Sequence, residues 1–219
     1  MAGYASMIVI KNRDDVQSEK PILEALGLTH FSYAEEANLD EVYQPKDNSV
    51  SIAFFKDYII ICDDFRFTDL FFTHDASDEE ESLVEIFPTS DILSVCFMGN
   101  IDFKGYAIIK KGNKVRFKTT DDSSAIIAAQ KKIHKEQKEE LAIFEYPDFE
   151  FLAKMVVHAT GLDLESDDAH VLYDNYTFKK YIPVSSENFE EEEDDDDDSE
   201  NVEAEAKSDS GKPWWQFWK

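Results

Sequence analysis

Apolar residues cluster along this chain in short blocks of the length that strands require. The densest block, Val50 to Asp64, holds two apolar runs separated by Lys56-Asp57, which predicts a central antiparallel strand pair with a tight turn. Its second run, Tyr58 to Cys62, shows no polar alternation, so a strand formed from it needs cover on both faces. Similar runs predict four more strands at 7–10, 91–98, 103–111 and 114–119.

Helical spacing and capping residues predict about four helices, at 18–27, 77–87, 121–140 and 147–160. Ser77 and Glu80 form a capping box at the start of the second helix, and Gly161 provides a C-cap for the fourth. The segments 29–48 and 65–75 show no clear period, and 176–182 predicts a short edge strand. The fold class is therefore α+β, a mainly antiparallel sheet of about six strands covered by about four helices.

Composition divides the chain into a folded body and a tail. We expect a globular domain at 1–183, a disordered acidic linker at 184–213 and an aromatic peptide at 214–219. Glu190 to Asp198 is nine consecutive carboxylates, which repel one another and cannot form a packed core. All three tryptophans of the chain lie within its last six residues.

The charge balance narrows the choice of partners. The formal net charge is −26, from 48 acidic and 22 basic residues. Direct nucleic-acid binding and electrostatic attachment to an anionic membrane both draw on clustered Lys and Arg, so neither is expected. Basic partners are favoured instead.

Two further features bear on the cellular location. The N-terminal segment has no basic region ahead of an apolar run, and no run is long enough to span a bilayer, so we expect a cytoplasmic protein. Cys62 and Cys96 lie within apolar strand runs and are predicted to be buried thiols. A disulfide between neighbouring strands is the alternative.

The clearest hairpin lies at 101–119, with Gly112-Asn113 as the predicted two-residue loop. That loop places Lys111, Lys114, Arg116 and Lys118 on one face, and we call these four residues the cationic strip. One hypothesis is that the strip binds an acidic ligand, specifically the chain's own acidic linker. The other is that it is a solvated edge that discourages association between strands.

The best catalytic candidate is the group Asp63, Asp64 and His74, which follows a buried strand. Carboxylates and an imidazole that converge there could hold a divalent metal and activate a water molecule. The spacing matches no metal motif, and adjacent aspartates arise readily in so acidic a chain. His158 is expected to lie at the edge of the core with one hydrogen bond. No phosphate-binding glycine loop or nucleophile elbow occurs, so no cofactor is expected.

The tail, Glu190 to Lys219, combines an acidic linker with an aromatic end. Its layout resembles the C-terminal tails of bacterial single-stranded DNA-binding proteins, in which an acidic linker presents a terminal hydrophobic tip to partner enzymes. It differs in ending in Lys219, and the body has no basic binding channel. The resemblance implies a mode of action, in which Trp214, Trp215, Phe217 and Trp218 bind a partner protein, since aromatic residues anchor interfaces.

We therefore expect a non-enzymatic cytoplasmic adaptor whose acidic tail presents a Trp-rich peptide to a partner protein. Two alternatives come from other classes: a metal-dependent hydrolase that uses Asp63, Asp64 and His74, and an acidic decoy that occupies the nucleic-acid site of a basic protein. Divalent-metal binding by the body would favour the hydrolase. Salt-sensitive capture of a basic partner without the last six residues would favour the decoy.

Overall fold

A single sheet forms the centre of the folded body. In the computed structural model, which describes residues 3–44, 48–73, 75–120 and 135–184, eight strands pair in an entirely antiparallel sheet. The strands are β1 (Tyr4–Lys11), β2 (Phe31–Ala37), β3 (Val50–Phe55), β4 (Tyr58–Cys62), β5 (Asp91–Met98), β6 (Phe103–Lys110), β7 (Asn113–Thr119) and β8 (Phe178–Pro183). Their order across the sheet is β2-β8-β3-β4-β1-β5-β6-β7.

Six α-helices lie within the described ranges. They are α1 (Lys20–Ala25), α2 (Leu39–Val42), α3 (Asp78–Ile86), α4 (Lys135–Phe144), α5 (Asp148–Thr160) and α6 (His170–Asp174), with 3₁₀ turns at Thr68–Phe72 and Asp167–Ala169. The α+β class is as predicted, and the six described helices correct the prediction of about four. Residues 121–134, the first part of the predicted third helix, lie outside the described residues. No described helix combines the length and the apolar character needed to cross a membrane.

The sheet is covered on both faces, as the sequence of β4 requires. All five residues of β4 are buried, and their side chains alternate between two apolar clusters. Ile60 packs on the face covered by α2, α4, α5 and α6, which we call the α5 face. Ile59 and Ile61 pack on the face covered by α1, α3 and the Thr68–Phe72 turn, which we call the α3 face. Apolar burial on both faces supplies most of the folding free energy.

The strand count corrects the prediction of about six strands. The six strands of the predicted sheet are present, and β2 and β8 bring the number to eight. β8 corresponds to the strand predicted at 176–182, but it is not an edge strand, because it lies between β2 and β3. β2, which was not predicted, is the edge strand on this side of the sheet, and its residues 32–36 are all exposed. An edge strand of this kind is held by backbone pairing with β8, so it shows no apolar alternation for sequence patterns to detect.

The last strand is integrated into the sheet rather than appended to it. β8 pairs with β2 along one side and with β3 along the other. The compact unit ends at Val184, whose amide donates a 2.9 Å hydrogen bond to the His30 carbonyl. The predicted linker, apart from Val184, and the predicted aromatic peptide lie outside the described residues.

Candidate functional site

The β6–β7 hairpin forms, but its loop lies one residue earlier than predicted, so the predicted register is wrong. The loop is Lys111-Gly112, with φ values of 50° and 73°, so that Lys110 pairs with Asn113 and Ile108 with Arg116. Two-residue hairpin turns with positive φ at both positions prefer Gly in the second position. Gly112 therefore takes the second loop position rather than the first. A register shift follows between Ile108 and Ile109.

This register divides the cationic strip between the two faces of the sheet. Arg116 and Lys118 pair with Ile108 and Tyr106 of the α5 face. Lys114 pairs with Ile109, which packs on the α3 face. The four residues of the strip therefore do not share one face, which corrects the geometry on which the linker-binding hypothesis was based.

Lys114 is held by groups on the α3 face. Its Nζ lies 2.6 Å from Glu80 Oε2, and the two side chains are 12% and 4% exposed. The same Nζ donates to the Thr73 carbonyl at 2.8 Å. Burial raises the pKa of the Glu80 carboxyl, and Lys114 opposes that shift in part. This ion pair joins α3 to β7 beside a groove lined by Ala76, Glu80, Glu81, Val84, Gly112, Asn113 and Lys114.

Arg116 belongs to a second buried group, on the α5 face. Its Nε donates to Glu140 Oε1 at 2.6 Å, and the Tyr106 hydroxyl donates to Glu140 Oε2 at 3.2 Å. His158 Nε2 lies 3.3 Å from Glu140 Oε1, in agreement with the predicted core-edge histidine. We call Tyr106, Arg116, Glu140 and His158 the Glu140 cluster.

The Glu140 cluster contains group types that occur in acid–base catalysis, but its position indicates a structural role. Glu140 has no exposed surface, so its carboxylate is out of reach of a substrate in this conformation. Its carboxylate accepts hydrogen bonds from Tyr106 of β6 and Arg116 of β7 and contacts His158 of α5. These contacts fix α4 against the sheet. Sequence reasoning missed this residue. The available signal was the spacing of Glu140 and Phe144. Residues four positions apart lie on the same side of a helix, and these two share the buried side of α4.

Asp63 likewise has a structural role. It is fully buried and accepts hydrogen bonds from the Ser6 hydroxyl at 2.7 Å, from the amides of Phe67 and Thr68 at 2.6 and 3.2 Å, and from the Thr68 hydroxyl. These bonds hold the chain that leads into the 3₁₀ turn over the α3 face. They explain the aromatic segment 65–72, which no periodicity could assign.

The other members of the predicted metal site are not brought to Asp63 within the described residues. Asp64 is exposed, and His74 lies outside the described ranges. Among the side chains that the structure describes, no group of three or more His, Cys, Asp or Glu is arranged to hold a metal ion. The metal hypothesis stays a prediction, without support from the geometry of Asp63.

Neither of the two cysteines forms a disulfide. Cys62 on β4 and Cys96 on β5 are separated by β1, and they pack in opposite clusters, on the α5 face and the α3 face respectively. The disulfide between neighbouring strands is therefore wrong. Burial raises the pKa of the Cys62 thiol, which makes it a poor nucleophile.

The aromatic residues proposed to bind a partner, Trp214, Trp215, Phe217 and Trp218, lie outside the described residues. Comparison with protein-family models, with curated proteins and with solved structures found no match to this chain. Its function is therefore argued from its own residues.

Proposed function

We propose that this protein is a non-enzymatic cytoplasmic adaptor that binds a partner protein through the aromatic segment Trp214 to Trp218. The observation that carries the proposal is the position of the tryptophans, since all three lie within six residues that follow a dense acidic stretch. Trp and Phe bury large areas at interfaces. Exposed in a cluster such residues lower solubility, so a binding role accounts for three tryptophans and a phenylalanine in one short segment.

Features of the folded body are compatible with a binding role. The buried acids Asp63 and Glu140 are engaged by groups of the protein itself, so neither supports the hydrolase alternative. Buried cysteines that form no disulfide are typical of a reducing compartment, which supports the cytoplasmic location.

The acidic decoy is the second candidate. The observation that favours it is the charge of the body itself. Without the tail, residues 1–186 contain 34 acidic and 19 basic residues, which gives a net charge of −15 (19 − 34). A basic protein would be attracted to such a surface without any help from the aromatic segment.

One capture experiment separates these two functions. Immobilised full-length protein is compared with an aromatic variant (Trp214→Ala, Trp215→Ala, Phe217→Ala and Trp218→Ala) and with an acid variant, in which Glu190 to Asp198 become Gln and Asn. Lysate of the source organism is applied at low salt and at about 0.5 M salt, where exposed charges are strongly screened.

An adaptor retains its partner at high salt and loses it in the aromatic variant. A decoy loses its partner at high salt and keeps it in the aromatic variant. Capture that responds to neither variant would contradict the adaptor proposal. Tryptophan emission gives a direct check, because the only tryptophans lie in the aromatic segment and should shift to the blue when a purified partner buries them.

A further inference from the structure

The edge strand β2 leaves one side of its backbone open. It stands at the end of the sheet order and pairs with β8 on its inner side. Residues 32–36 are all exposed, and no backbone hydrogen bond joins them to a described element other than β8. In an antiparallel ladder, alternate residues direct both backbone groups to the same side. Alternate residues of β2 therefore present an amide and a carbonyl to any strand that joins this edge.

The opposite edge of the sheet, β7, is less open. Five of its seven residues are partly buried. Lys114 is held by Glu80 of α3, and Arg116 by Glu140 of α4. Of the two edges, β2 is therefore the one that an extended segment can reach along its whole length.

Two consecutive acids give the β2 edge its charge. Glu35 pairs with Lys180 across the ladder, and Glu36 pairs with Lys179. Glu35 Oε1 lies 3.0 Å from Lys180 Nζ, but the Glu35 side chain is 62% exposed, so this ion pair is weak. Lys179 Nζ instead contacts Glu19 Oε1 at 2.8 Å, and Glu36 forms no ion pair with the side chains that the structure describes. Because consecutive residues of a strand point to opposite faces, the edge carries one acid on each face of the sheet.

Tyr33 adds an apolar surface to the same edge. Its side chain is 54% exposed, and its ring centroid lies 6.3 Å from that of Tyr181. The ladder shifts by one residue between Tyr33 and Glu35, which is a β-bulge. Bulges and charged side chains on an edge discourage pairing between identical chains, and a net charge of −26 opposes such pairing further. A second copy of this chain is therefore a poor occupant of the edge.

We propose that β2 accepts a basic, extended segment of a partner protein as an additional strand of the sheet. Backbone hydrogen bonds provide affinity in this mode of recognition, and the side chains provide specificity. Two consecutive Lys or Arg residues of the segment lie opposite Glu35 and Glu36, and a β-branched residue packs on Tyr33. Charge complementarity selects this occupant over an acidic or a neutral strand. The proposal concerns the folded body and does not depend on the aromatic segment.

The test uses a labelled heptapeptide with blocked ends, of sequence Thr-Lys-Lys-Thr-Val-Thr-Val. When it pairs antiparallel to β2, its lysines lie opposite the two acids and its first valine lies opposite Tyr33. Binding is measured by fluorescence anisotropy on the full-length acid variant, because Glu190 to Asp198 would themselves attract a basic peptide.

Backbone pairing is tested with two further versions of the peptide, N-methylated on the odd-numbered or on the even-numbered amides. Both keep the charge of the original. Because alternate amides of an added strand face β2, one version should lose more than about tenfold in affinity and the other should stay within about threefold. Equal effects of the two methylation patterns would show attraction by charge alone and would overturn the proposal.

The acids are tested with the double variant Glu35→Gln and Glu36→Gln, which should weaken binding about fivefold. The matched control is Glu85→Gln with Glu145→Gln, which changes the net charge equally at exposed acids elsewhere and should leave binding within about twofold. Circular dichroism verifies the fold of each variant. Equal weakening by both double variants, or no binding of the unmethylated peptide, overturns the proposal. A dimer that strengthens in the Glu35→Gln and Glu36→Gln variant without any peptide binding, measured by sedimentation, overturns it in favour of a second copy.

Discussion

At the scale of single residues, the structure is defined by which acids are buried. Asp63, Glu80 and Glu140 are all buried. Asp63 is stabilised by amides and hydroxyls, Glu80 by a lysine and Glu140 by an arginine. Sequence could place Asp63 at the end of a strand and Glu80 in the first turn of a helix, but the Glu80 carboxylate contacts Lys114 and does not complete the predicted capping box. Sequence could not identify the partners of Glu80 and Glu140, because Lys114 and Arg116 are distant in sequence and their positions depend on the register of the hairpin.

Glu80 leads to a prediction of pH dependence. Its pKa is raised above the unfolded value of 4.5, chiefly by burial, so the folded state binds a proton more readily than the unfolded state. Its contribution to stability should therefore be largest below pH 4.5 and should fall as pH rises through the folded pKa. The substitution Glu80→Gln should remove this decrease in stability with rising pH. Urea unfolding between about pH 4 and 7 should show a flatter profile for the variant than for the natural protein.

The control for this prediction is Glu85→Gln, since Glu85 is another acid of α3 and is exposed. Its profile should follow that of the natural protein. If the two variants change the profile equally, the effect belongs to the general loss of negative charge and not to burial of Glu80.

At the scale of elements, prediction succeeded where burial creates a pattern and failed where backbone pairing alone holds an element. Strands β3, β4 and β5 were predicted because their side chains form the core. Strand β2 was not, because residues 32–36 are exposed and the strand depends on its pairing with β8. The hairpin register was wrong for a local reason, the preference of a two-residue turn for Gly in its second position.

The attachment of α4 can be tested through Glu140. Glu140→Gln removes the buried carboxylate that the Arg116 guanidinium contacts, at a site where the Arg116 side chain is 19% exposed. Removing one partner of a buried ion pair costs several kcal/mol, and we expect about 2–4 kcal/mol because Arg116 keeps some solvent. The melting temperature should fall by about 6–12 °C, as measured by circular dichroism.

Glu139→Gln is the matched control, since the Glu139 side chain is 51% exposed, and it should change stability by less than about 0.5 kcal/mol. The double variant Arg116→Met with Glu140→Met should recover part of the loss, because neither charge is then left without its partner. A Glu140→Gln protein as stable as the natural one would show that the cluster does not hold α4.

At the scale of the whole molecule, the arrangement of strands makes the body complete before the acidic linker begins. β8 lies inside the sheet with a neighbour on each side, and the compact unit ends at Val184. Composition predicts a division between the body and the acidic linker, since nine consecutive carboxylates cannot pack in a core. The sheet order could not be predicted, because pairing of β8 with β2 joins segments about 150 residues apart without a local signal.

We therefore expect the body to fold without the tail. A protein truncated after Ser186 loses 14 carboxylates and three lysines, so its net charge changes from −26 to −15. No buried contact of the described body is removed, and the lower charge reduces self-repulsion. The melting temperature should stay within a few degrees of the full-length value. At low salt it should be slightly higher than that value, and the difference should decrease as salt screens the charges.

Circular dichroism is the appropriate probe, because the truncated protein contains no tryptophan. Loss of cooperative unfolding in the truncated protein would show that residues beyond 186 are part of the folding unit.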